Sequence, residues 1–154
     1  MAILYSKEDR KMQEWRTGIL LSKQEKKNGI AVTILLHVLS VKAKGDWQYG
    51  KIEVSARLPK GIGTWPAIWM LGSTTPLKWP DDGEIDIMEL VGYNQGFIHA
   101  SVHCKKYYHV IGTQKTDTIE VKDCSEKFHI YSVEWNKEFS KHCDGWQCIF
   151  PFWQ

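Results

Sequence analysis

Three carboxylates fall within six residues of an otherwise apolar stretch, Gly83-Glu84-Ile85-Asp86-Ile87-Met88-Glu89-Leu90. Two-residue alternation puts Glu84 and Asp86 on one face of a strand and Ile85 and Ile87 on the other. Strict alternation would carry Glu89 to the apolar side. One extra residue, a β-bulge around Ile87-Met88, returns it to the face of the other two acids. Ile85, Ile87 and Leu90 are then directed into the core. A pair of glutamates suits double displacement at an anomeric carbon, with carboxyl groups about 5–5.5 Å apart, one attacking and one handling the proton. The Cα atoms of Glu84 and Glu89 would lie roughly 13 Å apart at the usual strand rise. Two long Glu side chains on a concave strand close that gap, and two Asp side chains do not. Asp86 between them would hydrogen-bond one glutamate and hold the two pKa values apart. The other reading is a solvent-facing edge strand charged to discourage pairing, although such edges favour Lys and need no bulge.

Such a strand needs neighbours. In WQYGKIEVSARLPKG, Ile52, Val54, Ala56 and Leu58 alternate with Lys51, Glu53, Ser55 and Arg57, and a Pro-Lys-Gly turn follows. GTWPAIWMLG predicts a largely buried strand closed by Gly72 and the loop STTPLKWPDDG. After a turn at Tyr93 to Gly96, FIHASVH sets Ile98, Ala100 and Val102 against His99, Ser101 and His103. TDTIEV and FHIYSVEW complete the series. Short strands separated by turn signals predict an all-β sandwich. Nearer the start, GILLSKQEKKNG predicts a strand and a turn and IAVTILLHVLSV a second strand, both without clean alternation.

The 154 residues suit one domain with a sizeable core. Twenty basic and 18 acidic side chains give a net charge of +2. No block of like charge marks a nucleic-acid footprint or a polybasic membrane patch. Eight Trp and six Tyr exceed what a small core needs. Flat aromatics pack on sugar rings, and they are also ordinary core material. Cys104, Cys124, Cys143 and Cys148 form no CxxC pair and no zinc spacing, so buried or free thiols are expected; a disulfide needs an oxidising compartment. MAILYSKEDRKMQEW lacks the features of a signal peptide. Ile30 to Val41, interrupted by Thr33, His37 and Ser40, is too short to span a bilayer.

The segments DWQYGKIEVSARLPKGIGTWPAIWMLG, GEIDIMELVG, IHASVH and FHIYSVEW, in that order over roughly 43–137, resemble glycoside hydrolase family 16, the laminarinase-like endo-β-glucanases. The resemblance implies a concanavalin-like β-jelly roll of two packed sheets whose concave face is the sugar cleft. It implies Glu84 as nucleophile, Glu89 as acid/base and Asp86 as assisting carboxylate. Trp65 and Trp69 fall in the motif whose tryptophans line the cleft, and His103 matches the histidine beside the catalytic strand. The extra residue in the motif is typical of the laminarinase-like and agarase-like branches. The implied activity is retaining endo-hydrolysis of β-1,3-glucan, extracellular and monomeric. Its partner would be a polysaccharide rather than nucleic acid or membrane. No cofactor is needed, and no metal ligands, structural calcium included, are identifiable. An agarase or other galactan hydrolase, a non-catalytic glucan-binding protein and an inactive fragment are the alternatives. Binding relatives usually lack the glutamates.

For the secondary residues, plainer readings stand alongside. Trp65 precedes Pro66 and Trp69 sits in an apolar run, so either also fits the core. His103 also fits a satisfied sheet histidine. His99 and His129 read as structural. Trp79 is either a loop-borne contact or an exposed aromatic without a task.

Two stretches depart from the family pattern. Around 29–41, IAVTILLHVL stands where a strand carrying Tyr, Thr and Ser is expected. The tail 138–154 diverges and leaves Trp146, Phe150, Phe152 and Trp153 without strands to cover them. Residues 1–154 are therefore expected to be a single partial catalytic domain, its flanks altered by shifts of reading frame or a damaged gene model. An incomplete sandwich exposes sheet edges and apolar face, which predicts marginal stability.

Overall fold

A computed structural model describes residues 3–6, 46, 48–145 and 147–153. Its strands are β1 Ile3–Ser6, β2 Gly50–Ala56, β3 Ala67–Leu71, β4 Glu84–Leu90, β5 Phe97–His103, β6 Lys115–Glu120, β7 His129–Trp135, β8 Phe139–Asp144 and β9 Gln147–Trp153. One 3-10 turn, His109–Ile111, lies between β5 and β6. The five-stranded sheet runs β1-β2-β7-β8-β9 and the four-stranded sheet β3-β4-β5-β6, every pairing antiparallel. This is the expected all-β sandwich. The strand and turn predicted in GILLSKQEKKNG and the strand predicted in IAVTILLHVLSV lie outside the described residues.

Alternation explains the core. Ile52, Val54 and Ala56 of β2 are buried, with Leu58 continuing the stripe. They lie beside Tyr131, Val133 and Trp135 of β7, in the register Ile52↔Val133 and Val54↔Tyr131. Ile87, Met88 and Leu90 of β4 and Ile98 of β5 face them from the other sheet. Each fully buried side chain of this size contributes about 1.5–3 kcal/mol, and this shared layer is what fixes β4 in place. Trp135 carries its polar atom into the layer by donating Nε1–H to the carbonyl of Gln48 at 2.7 Å.

Three expectations change. First, β3 is not largely buried. Among the described residues it is an edge strand, with Ile68 and Met70 partly buried against the core and Trp69 on the opposite face, 41% exposed. An apolar run does not distinguish a core face from a groove lined with aromatics.

Second, the divergent tail supplies strands of its own, because β8 and β9 form a hairpin that extends the five-stranded sheet. Its inward positions are polar: Ser140 is 0% and His142 1% exposed. A hydropathy pattern misses a strand built that way. Third, Cys143 is disulfide-bonded and lies opposite Cys148 in the hairpin register. Cys104 and Cys124 are free thiols, as expected.

Candidate active site

The predicted bulge forms on β4. Against β5, Asp86 pairs with Ser101 and Glu89 with His99, so Ile87 and Met88 together oppose Ala100. Against β3, Asp86 pairs with Trp69 and Met88 with Ile68, which leaves Ile87 as the extra residue. Ile87 and Met88 are both buried, at 4% and 1% exposure. Two consecutive inward side chains restore the phase, and Glu89 rejoins the face of Glu84 and Asp86.

The register then builds a band across the four-stranded sheet. Glu84 lies opposite His103, Asp86 between Trp69 and Ser101, and Glu89 opposite His99. The band extends into β6, where the Ser101 and Thr116 hydroxyls are 2.9 Å apart and His99 Nδ1 lies 3.0 Å from Thr118 Oγ1.

Each glutamate receives an indole N–H. Trp65 donates Nε1–H to Glu89 Oε1 at 3.0 Å, and Trp79 donates to Glu84 Oε2 at 2.7 Å. The segments carrying them are anchored. Before Trp65, the Thr64 hydroxyl donates to the Gly61 carbonyl at 2.8 Å, and Gly92 N–H donates to the Thr64 carbonyl at 2.9 Å. Around Trp79, the Asp82 carboxylate gathers the loop by accepting from the Thr74 hydroxyl and from Lys78 N–H at 2.6 Å. These two bonds hold the Asp82 carboxyl below its ordinary range. The Trp79 ring meets Tyr108 edge-on at 5.6 Å and packs on His109 at 5.1 Å, and His109 is perpendicular to His103 at 5.4 Å.

Asp86 is 5% exposed, and its carboxyl is pushed up to about 8, by burial first and then by the charges of Glu89 and Glu84. It is therefore protonated at neutral pH. Its contact is His103, whose Nε2 lies 3.3 Å from Asp86 Oδ2. Burial holds the imidazole below its ordinary pKa, so the contact joins two neutral groups rather than an ion pair. The hydrogen bond expected from Asp86 to a glutamate is not formed among the described residues, and the glutamates act on Asp86 through their charge.

All six residues singled out from the sequence thus share one face or its rim: Glu84, Asp86, Glu89, Trp69 and His103 on the sheet and Trp65 beside it, 67% exposed. His99, read as structural, belongs to the same band; its alternation with Ser101 and His103 was the available signal. Trp79 proves to be a loop-borne contact. Tyr108 and His109 had no sequence signal, because a loop has no period to read.

The sequence and the described fold resemble known proteins. The sequence profile of Glycosyl hydrolases family 16 matches residues 11–143. A "Beta-glucanase" of Rhodothermus marinus is 48% identical over 103 residues, which is 65% of this chain and 36% of that protein. The "Clotting factor G alpha subunit" of Tachypleus tridentatus is 33% identical over 128 residues, covering 80% of this chain and 18% of that one. The X-ray structure of the laminarinase from Rhodothermus marinus superposes with a TM-score of 0.74 at 37% identity, covering 87% of this chain and 54% of that one. The matched profile and the shared fold place the chain in the glycoside hydrolase class of proteins. The chain belongs to glycosyl hydrolase family 16. It spans about a third of the β-glucanase's length and about half of the laminarinase chain's.

Proposed function

We propose that the chain carries the catalytic strand of a retaining endo-β-1,3-glucanase acting on laminarin-type polysaccharide outside the cell. The observation that carries this reading is the bulge that brings Glu89 into phase with Glu84, each glutamate held by a tryptophan N–H. In this reading Glu84 attacks the anomeric carbon while Glu89 gives its proton to the departing glycosidic oxygen. The glycosyl–Glu84 ester is then cleaved by water, whose proton returns to Glu89, and the anomeric configuration is retained. Asp86, neutral and buried between them, adds no third negative charge to a site that must stabilise a developing cation. Trp65 and Trp69 are exposed aromatics that would pack on pyranose units. His103 borders the nucleophile. The scheme uses neither cofactor nor metal and needs one chain. The β-glucanase and laminarinase relatives support the substrate class.

The purified chain is incubated with laminarin, mixed-linkage glucan and agarose, and new reducing ends are measured beside Glu84→Gln. Release from laminarin that disappears in the variant is expected, with the β-anomer appearing first by proton NMR. Release from agarose alone would move the substrate to a galactan. No release from any polymer by folded protein would overturn the catalytic reading.

A further inference from the structure

We propose that Glu84, Asp86 and His103 form a binding site for a divalent transition metal of the zinc class, and that its occupancy blocks the nucleophile. A carboxylate oxygen from each acid and a ring nitrogen of His103 lie within 4.8 Å of one another. A tetrahedral ion with ligands near 2.0–2.2 Å sets neighbouring donors roughly 3.3–3.5 Å apart. His103 Nε2 and Asp86 Oδ2 already stand 3.3 Å apart, so the remaining adjustment falls on the longer Glu84 side chain.

Two of the three donors are fixed by packing, with Asp86 at 5% and His103 at 8% exposure. Trp79 holds Glu84 Oε2 and leaves the other oxygen to turn toward the ion. The imidazole is more than nine-tenths buried and brings its Nε2 to the Asp86 carboxyl, so that nitrogen is the one placed to ligate the ion. Nothing in the two-carboxylate reaction uses that ring. One imidazole and two carboxylates suit zinc, cobalt, nickel or manganese, whereas calcium and magnesium prefer oxygen throughout. Binding would displace the Asp86 proton to solvent, and water would complete the coordination. A bound ion occupies the Glu84 oxygen that would otherwise attack the sugar. Metal binding itself does not depend on the glucanase reading; only the inhibition does.

Zinc chloride is titrated into the full chain by calorimetry, and cobalt chloride is followed by its visible absorption. One ion per chain is expected, with affinity lowered about tenfold or more in His103→Ala and His103→Gln and unchanged in Cys104→Ser, which removes the neighbouring thiol. In the 15N-labelled unsubstituted protein, zinc should shift the ring nitrogens of His103, a readout that needs no variant to fold. Zinc binding unaltered by both His103 substitutions, or a His103 ring signal that zinc leaves in place, overturns the site. Where laminarin hydrolysis is measurable, zinc should inhibit competitively and EDTA should restore the rate. If no hydrolysis is found, the catalytic reading fails while calorimetry and NMR still decide the metal site.

Discussion

Trp79 places its indole Nε1 2.7 Å from Oε2 of Glu84, a donor delivered to the sheet by the loop just upstream. A hydrogen bond to a charged group contributes about 1.5–3 kcal/mol, less where water reaches it, as it does here. Trp79→Phe keeps a ring against Tyr108 and removes the donor. The expected result is about a tenfold loss in kcat/KM on laminarin, carried mainly by kcat. Steady-state kinetics check it, and an unchanged kcat would remove Trp79 from any role at the nucleophile.

Asp86 is held protonated by burial and by the charges of Glu89 and Glu84. Asp86→Asn imitates that neutral form, so it should retain much more activity than Asp86→Ala at pH 7. The stability effect has a definite sign. A carboxyl whose folded pKa is raised contributes stability that is present below its ordinary 3.8 and is lost as pH rises through about 8. Asp86→Asn should therefore melt above the parent protein at pH 8, with the difference shrinking toward pH 4. Parallel melting curves across that range would contradict the assignment.

His142 is 1% exposed in β8, and burial pushes its imidazole down to about 4. The folded protein resists a proton that the unfolded chain accepts near the ordinary 6.5. Stability is thus present above that value and lost as pH falls toward 4, by roughly 2–3 kcal/mol from this group. Urea unfolding at pH 7 and pH 4.5 should show that loss in the parent and a much smaller one in His142→Leu.

A Cβ on Gly92 would sit 1.9 Å from the Gly61 carbonyl oxygen and 2.6 Å from Thr64 Oγ1. Gly92→Ala should therefore cost about 1–3 kcal/mol and displace the segment leading to Trp65. Thermal melting reads the first effect. A fall in kcat/KM beyond the unfolded fraction reads the second.

How much of this was legible in sequence depended on period. The β4 bulge could be inferred because three acids in an apolar strand align no other way, and β5 declared its two faces by simple alternation. The same rule misjudged β3, since Ile68, Trp69 and Met70 are all apolar although Trp69 faces away from the core. It missed β8, where Ser140 and His142 occupy inward positions. The Trp65–Glu89 bond joins residues 24 apart in sequence, and the packing of Trp79 on Tyr108 and His109 joins two loops. Such contacts are set by tertiary geometry and leave no local trace.

Glu89 follows Glu84 by five positions, an odd count that the bulge converts into an even number of steps across the sheet. In most strands, losing one residue turns every later side chain to the wrong face. Here the loss of Ile87 would remove the irregularity and leave the three acids at alternate positions, still in phase, with Leu90 still directed inward. Loss of two residues would put the second glutamate out of phase. The strand therefore has two working lengths separated by a single codon, so a lineage carrying it can change the spacing of its acid pair in one deletion without passing through a misaligned intermediate.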